Sequence, residues 1–241
     1  MPFKETSLWS STSTPLNSFA GRPLPAQADV VVIGGGYTGL SAALQLAKHG
    51  ASVTLLERES PGWGASSRNG GMVLPGLKHG AGELLKSFGK TRARELYAAS
   101  VKSIECVETI IAEEKIECDY ARRGSFDAAF KPAHFEHLKQ SQEILAREFD
   151  HQTRLVPKAD QRSELGTDFY HGGLVDERSG GLHPAKYVNG LALAAERAGA
   201  DLHDATPALG IEKNGGGFTV KTGRGQIQAR EVFAATNGYT G

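Results

Sequence analysis

The chain has 241 residues, and its 27 basic and 27 acidic side chains leave a formal net charge of zero. That balance excludes bulk electrostatic attraction to nucleic acid or to an anionic membrane as the basis of function. The length suits one large domain or two small ones. Folding at that size buries roughly 70% or more of the unfolded surface, so no metal or disulfide staple is needed. Cys106 and Cys118 occur without a CxxC pair or a His/Cys cluster at zinc spacing, and two reduced, buried thiols are expected. No stretch approaches the roughly 18 apolar residues of a membrane span. The first 25 residues, rich in Ser, Thr and Pro, lack the basic start and apolar core of a signal peptide. A cytoplasmic location is expected.

In chain order, residues 1–26 are expected to form an irregular leader, with Pro15, Pro23 and Pro25 breaking any helix. Residues 28–33 (ADVVVI) make a short apolar, β-branched run that suits a buried parallel strand. A glycine turn over 34–39, a helix over 40–49 stopped by Gly50, and a strand over 52–57 complete a βαβ unit. Residues 60–80 hold six glycines and no clear helix. An amphipathic helix is expected over 91–115, with Leu96, Ile104, Val107 and Ile111 on one side. A strand of a different sheet follows around 120–130, then a helix over 133–149 and a strand over 169–175. Pro184 suits a first helical position, and that helix ends before Gly199. Short strands are expected at 200–203, 209–212, 218–221, 226–229 and 231–235, with hairpin turns at 214–217 and 223–225.

Gly34-Gly35-Gly36-Tyr37-Thr38-Gly39 satisfies GxGxxG. Alone the pattern is weak, because a glycine-rich chain matches it by chance. Here an apolar strand precedes it, a small-residue helix follows, and an acid ends the next strand. Gly34 permits the tight turn, Gly36 lets a pyrophosphate approach the backbone, and Gly39 lets the helix pack close to the sheet. The helix N-terminus adds partial positive charge for the phosphates. Glu57, 18 positions after Gly39, stands where a carboxylate accepts from the adenosine ribose hydroxyls and repels a 2′-phosphate.

The fingerprint by itself leaves FAD and NAD open, since both contain ADP. A simple NAD domain continues from the acid into another helix and a third parallel strand. This chain runs instead into Pro61-Gly62-Trp63-Gly64-Ala65-Ser66-Ser67-Arg68-Asn69-Gly70-Gly71. Such a stretch suits backbone lying against a large flat ligand, with Ser, Arg and Asn free for phosphates and ring edges. A flexible surface loop is the plain alternative.

Residues 31–43 (VVIGGGYTGLSAA) followed by 62–71 (GWGASSRNGG) resemble the D-amino-acid-oxidase family of flavoproteins. Within it the likeness points to gamma-glutamylputrescine oxidoreductases and related glycine or amine oxidases. Ser7-Leu8-Trp9, Gly180-Gly181-Leu182-His183-Pro184 and Ala234-Ala235-Thr236-Asn237-Gly238-Tyr239-Thr240 are similar to the same subgroup. The likeness covers nearly the whole chain.

The resemblance implies an α/β fold: a Rossmann-like FAD/NAD(P)-binding domain of this oxidase type, with an interleaved α+β substrate domain and an incomplete C-terminus. The FAD domain would be discontinuous, from 27–80 and 181–241, and the partial substrate domain would be 81–180. Arg123-Gly124-Ser125-Phe126 looks like a strand of the substrate sheet that covers one flavin face. The implied FAD site takes Gly34, Gly36, Tyr37, Thr38, Gly39, Glu57 and Arg58 from the first βαβ unit. It takes Gly64, Ala65, Ser66, Ser67, Arg68, Asn69, Gly70 and Gly71 from the loop, with Ala208, Ala235, Thr236, Asn237 and Gly238 from the return segment, and 206–208 lies near the adenine.

Family members usually run well past this length, so a fragment or truncated product with weak or absent turnover is expected. The implied reaction oxidises a C–N bond of an amine or amino acid, with dioxygen as acceptor and no metal. The protein's part is to orient a neutral amine and exclude competing reactions. No catalytic residue is assigned. His79, His171 and His183 suit a base by type, but a solvated or helix-leading role explains each better. Arg68 suits a phosphate or a substrate carboxylate, and Trp63 reads as packing. The rival functions are a non-catalytic FAD-binding module and an NAD-dependent dehydrogenase, the latter disfavoured by the 62–71 loop.

Overall fold

The structure, a computed structural model, describes residues 6–240; the first five residues of the expected leader and Gly241 of the return segment lie outside the described residues. Along the chain, Leu8–Ser11 form one helical turn, α1, because Ser7 accepts from the Ser10 N–H as its cap and Pro15, Pro23 and Pro25 all lie beyond it. The leader is therefore not wholly irregular. Strand β1 is Gln27–Ile33, helix α2 Tyr37–Lys48 and strand β2 Val53–Leu56. A short strand β3, Met72–Val73, precedes α3, Ala81–Glu114. Helix α3 begins earlier than the hydrophobic periodicity suggests. A first segment continues through a kink at Gly89, whose φ of 70° lies in the left-handed region that glycine tolerates.

Next come β4 (Ser125–Ala128), α4 (Pro132–Phe149), β5 (Arg154–Pro157), β6 (Gly172–Asp176) and β7 (Gly180–Gly181). Helix α5, Pro184–Arg197, starts on the expected proline, and His183 caps it by accepting from the Lys186 N–H. Strands β8 (Asp201–His203), β9 (Ala208–Asn214), β10 (Gly217–Thr222) and β11 (Gly225–Ala234) close the chain. The two strands expected at 226–229 and 231–235 are one. Gly225–Ala229 pairs antiparallel with β10, and Gln228–Ala234 pairs parallel with β1, so the changing neighbour hides a continuous backbone.

The chain divides into two compact units. The first comprises the residues up to Gly70, Glu113–Asp119, and the residues from His183 on. Its sheet runs β8-β2-β1-β11-β10-β9, the first four strands mutually parallel and the last two antiparallel. Val53–Leu56 is buried at every position, as expected for a parallel strand covered on both faces. One face carries α2 and α5, whose Leu40, Ala43, Leu44, Leu191 and Ala195 are fully buried. Val31, Leu56, Val220 and Ile227 form a further cluster, against which Leu24 packs. Phe19 is buried too, so the leader belongs to this unit's core.

The second unit comprises Gly71–Ala112 and Tyr120–Leu182. It holds an antiparallel sheet β4-β6-β5 and the ribbon β3-β7. Leu84, Ala93 and Tyr97 pack with Leu145 and Phe149, joining α3 to α4. His151 is fully buried; its Nε2 lies 2.9 Å from Asp176 Oδ2, and its ring meets that of Tyr97 edge-on at 5.5 Å. Cys118 is buried, but Cys106 is exposed on α3, contrary to the expectation of two buried thiols; neither forms a disulfide. Among the described residues, no helix is long and apolar enough to cross a membrane, and no cluster of His, Cys, Asp and Glu is placed to hold a metal.

Candidate functional site

Strand β1 ends at Ile33, and the chain turns at Gly34 with φ of 109°. A side chain there would stand 2.6 Å from the Ala235 carbonyl oxygen, so only glycine fits. A Cβ on Gly39 would lie 1.9 Å from the Gly34 carbonyl oxygen, which fixes how closely α2 crosses the turn. Gly36 is the N-cap of α2 and offers no side chain to the helix end. Ser66 Oγ does so in its place, accepting from the Tyr37 N–H at 3.1 Å. The amides of a first helical turn have no intrahelical carbonyl, and they concentrate partial positive charge at this point.

Glu57 Oε2 accepts from the Gly35 N–H at 2.6 Å, and its Oε1 from the Glu59 N–H at 2.9 Å. The carboxylate thus pins the glycine turn to the end of β2. Each oxygen keeps a further acceptor direction for a hydroxyl. Asn69 closes the loop that follows, donating to the carbonyls of Ala65 and Ser66 and to the Tyr37 hydroxyl. Burial pushes the Tyr37 phenol up, with the Asn69 hydrogen bond opposing it. The hydroxyl also donates to the Pro184 carbonyl at 3.3 Å.

These residues line a cleft of about 1000 Å³ at the carboxyl ends of β1 and β2. That volume is at the upper end of ligand pockets, which span roughly 300–1,000 Å³. Of the expected site residues, the cleft gathers Gly34, Gly36, Tyr37, Thr38, Glu57, Arg58, Gly64, Ala65, Ser66 and Asn69. Ala208, Ala235, Thr236 and Asn237 face it from the return segment. The remaining expected residues lie elsewhere. Gly39 is taken up by helix packing, and Ser67 is buried in the short 3₁₀ turn Ala65–Ser67. The Arg68 guanidinium sits over the Trp63 ring at 4.7 Å. Gly70 and Gly238 are exposed, and Gly71 belongs to the second unit, its carbonyl accepting from the Leu182 N–H.

Sequence reasoning missed part of the lining. Trp63, set down there as packing, lines the cleft beside Tyr239, ring centroids 6.4 Å apart. Pro207, Leu209 and Ile211 supply an apolar wall, and Leu209 and Ile211 are 67% and 48% exposed. An apolar alternation on a short, solvent-facing strand was the available signal. The histidines take no part in the lining: His79 lies near Glu83 in the second unit, His171 is in that unit also, and His183 caps α5. A smaller groove of about 350 Å³, lined by Asp29, Ser52 and Arg230 among others, lies at the opposite strand ends. It has no glycine turn into a helix, and open α/β sheets take ligands at the carboxyl ends.

The arrangement fits a dinucleotide: a glycine turn without side chains, helix amides for a pyrophosphate, a carboxylate for a ribose and an apolar wall for a ring. Residues 29–241 match the family DAO, FAD dependent oxidoreductase. The chain belongs to this family. Its cofactor is FAD. The chain is 35% identical over 213 residues to the probable oxidoreductase OrdL of Haemophilus influenzae, covering 88% of this chain and 49% of that protein. It is 34% identical to the gamma-glutamylputrescine oxidoreductase of Escherichia coli, covering 88% and 50%. The fold is similar to that of glycine oxidase from Geobacillus kaustophilus, with a TM-score of 0.73 at 22% identity over 88% of this chain and 55% of that one. The L-amino acid deaminase of Proteus myxofaciens gives a TM-score of 0.73 at 23% identity, over 93% and 48%. The chain spans about half the length of the curated relatives it matches.

Proposed function

We propose that this protein oxidises the C–N bond of an amine or amino acid, with FAD held in the cleft of the first unit. The observation that carries the reading is the junction of Gly34, Gly36 and Glu57 at the start of α2, opening on a cleft of about 1000 Å³. Bound FAD supplies the acceptor for hydride from the carbon next to nitrogen; water hydrolyses the resulting imine to a carbonyl compound and an amine or ammonia, and dioxygen takes the electrons to give hydrogen peroxide. The chain's own residues do the holding. The α2 amides and the Gly36 backbone meet the pyrophosphate, and Glu57 accepts from the ribose hydroxyls. Pro207, Ala208, Leu209 and Ile211 exclude water at the adenine end, while Ser66, Asn69 and Trp63 line the loop side. The likeness to gamma-glutamylputrescine oxidoreductase supports a gamma-glutamylputrescine-like amine as the substrate class. A cytoplasmic location goes with that reading.

The test is an absorption spectrum of the purified chain before and after addition of FAD, followed by gel filtration. Flavin bands that travel with the protein are expected. Anaerobic addition of candidate amines should then bleach them. Retained flavin that no amine bleaches would favour the non-catalytic FAD-binding module instead. Failure to retain flavin at any protein concentration would sink the cofactor site as drawn.

A further inference from the structure

Asp204 is 7% exposed and Phe19 is 3% exposed, although Phe19 lies in a segment whose composition marks it as a loose leader. The Ser18 hydroxyl and the Phe19 N–H both donate to the same oxygen, Asp204 Oδ1, at 3.0 Å. Asp204 opens a corner of the chain in which Ala205 takes a left-handed conformation, φ 47°. From that corner the Ala205 N–H donates to the Glu59 carbonyl and the Thr206 N–H to the Glu57 carbonyl, each at 2.8 Å. Arg224 donates to Thr206 Oγ1 at 2.9 Å and also to the Arg22 carbonyl. Arg22 pairs with Glu196 on α5 and lies over the Phe19 ring at 4.7 Å.

Leader, corner and strand end are therefore bonded in series. Glu57 stands on one side of this series, and Pro207, the first residue of the apolar wall, directly follows the corner on the other. We propose that residues 18–22 brace the cofactor cleft, and that Asp204 is a positioning residue that sets the gap between Glu57 and the 207–211 wall without touching the cofactor. The inference rests on the cleft reading given above. Both donors converge on one oxygen, so the requirement is for an acceptor in that place. An asparagine whose amide oxygen takes the same position meets it. A Cβ methyl does not, and it leaves the buried Phe19 N–H without a partner.

The experiment measures FAD and AMP affinity, together with hydrogen exchange at the Ala205 and Thr206 amides without cofactor, in the unaltered chain and in Asp204→Ala, Asp204→Asn and Ser18→Ala. Asp204→Ala should weaken FAD and AMP by about tenfold and speed exchange at both amides. Ser18→Ala, which removes one of the two donors, should weaken both ligands by about threefold. Asp204→Asn should restore affinity and protection to near those of the unaltered chain. Unchanged affinity and exchange in Asp204→Ala overturns the brace, as does an Asp204→Asn variant that is no better than alanine. Should the alanine variant not fold, unchanged AMP affinity in Ser18→Ala overturns it equally. An unaltered chain that binds neither FAD nor AMP, while Asp204→Ala still speeds exchange at the corner, would mean that the cleft reading has failed and the mechanical link has not.

Discussion

The glycines of the first unit's turn and a glycine in the second unit's sheet are placed for different reasons. In the first, Gly34, Gly36 and Gly39 stand where backbone, a serine hydroxyl and a helix converge, and the space they leave opens into a cleft. In the second, Gly173 sits in the middle of an antiparallel sheet, where a Cβ would be 2.4 Å from the Phe126 ring. That glycine makes room for a neighbouring side chain and for the Asp127 carbonyl oxygen, 2.6 Å from the same Cβ. A glycine-rich stretch is thus no sign of a ligand by itself. The strand before it and the helix after it decide whether the space is a site or a packing gap.

The strongest way to break this comparison is Gly39→Ala. Its Cβ would collide with a backbone oxygen 1.9 Å away, so the turn itself must open. A loss of about 3 kcal/mol is expected, lowering the thermal midpoint by about 9 °C and abolishing flavin retention through gel filtration. Gly173→Ala should cost somewhat less, about 2 kcal/mol, because its Cβ would meet the Phe126 ring at 2.4 Å and the Asp127 carbonyl oxygen at 2.6 Å, wider gaps than the 1.9 Å at Gly39. At temperatures where that variant is folded, FAD affinity should stay within about threefold of the unaltered chain, since Gly173 belongs to the other unit and lines no part of the cleft. Equal loss of flavin from the two variants would remove the distinction between site glycine and packing glycine.

Glu57→Gln sharpens the comparison inside the first unit. Glutamine supplies one acceptor oxygen, yet its amide nitrogen must then face either the Gly35 or the Glu59 N–H, donor against donor. FAD affinity is expected to fall about tenfold, read by titration of flavin fluorescence. AMP should lose the same factor, because the carboxylate serves the ribose end. An unchanged affinity would mean that Glu57 only holds the turn.

How much was legible follows from where each signal lies along the chain. The βαβ unit is written in consecutive residues, from Val30 to Leu56, and so are the near wall of the cleft and the proline that opens α5. The far wall is built from Pro207, Leu209 and Tyr239; the fold alone brings Tyr239 to Trp63 and Gly64 and sets the other two in the same cleft. The leader's role was hidden because one buried phenylalanine between prolines shows no period. Strand β5 was hidden because only Val156 of its four residues is buried. His151 illustrates the same limit: no local pattern marks a lone histidine whose partner, Asp176, lies across the sheet.

The smallest predicted effect concerns the second unit, at Tyr97. Burial, and secondarily the Asp176 carboxylate, push this phenol up from 10.0 to about 12. A raised value in the folded state means that the unfolded chain loses the proton first. The contribution of Tyr97 is therefore fully present below the unfolded value of 10.0 and is lost as pH rises toward and through about 12. Relative to Tyr97→Phe, the unaltered chain should lose about 1 kcal/mol of stability between neutral pH and about pH 11, measured as a shift of the urea midpoint. Other tyrosines and lysines titrate in the same range, but they do so in both proteins, and the difference isolates the one phenol. Parallel midpoints across that range would show that Tyr97 reaches water in the folded state. The ring's contacts with Phe149 and His151 would then be looser than a packed core allows.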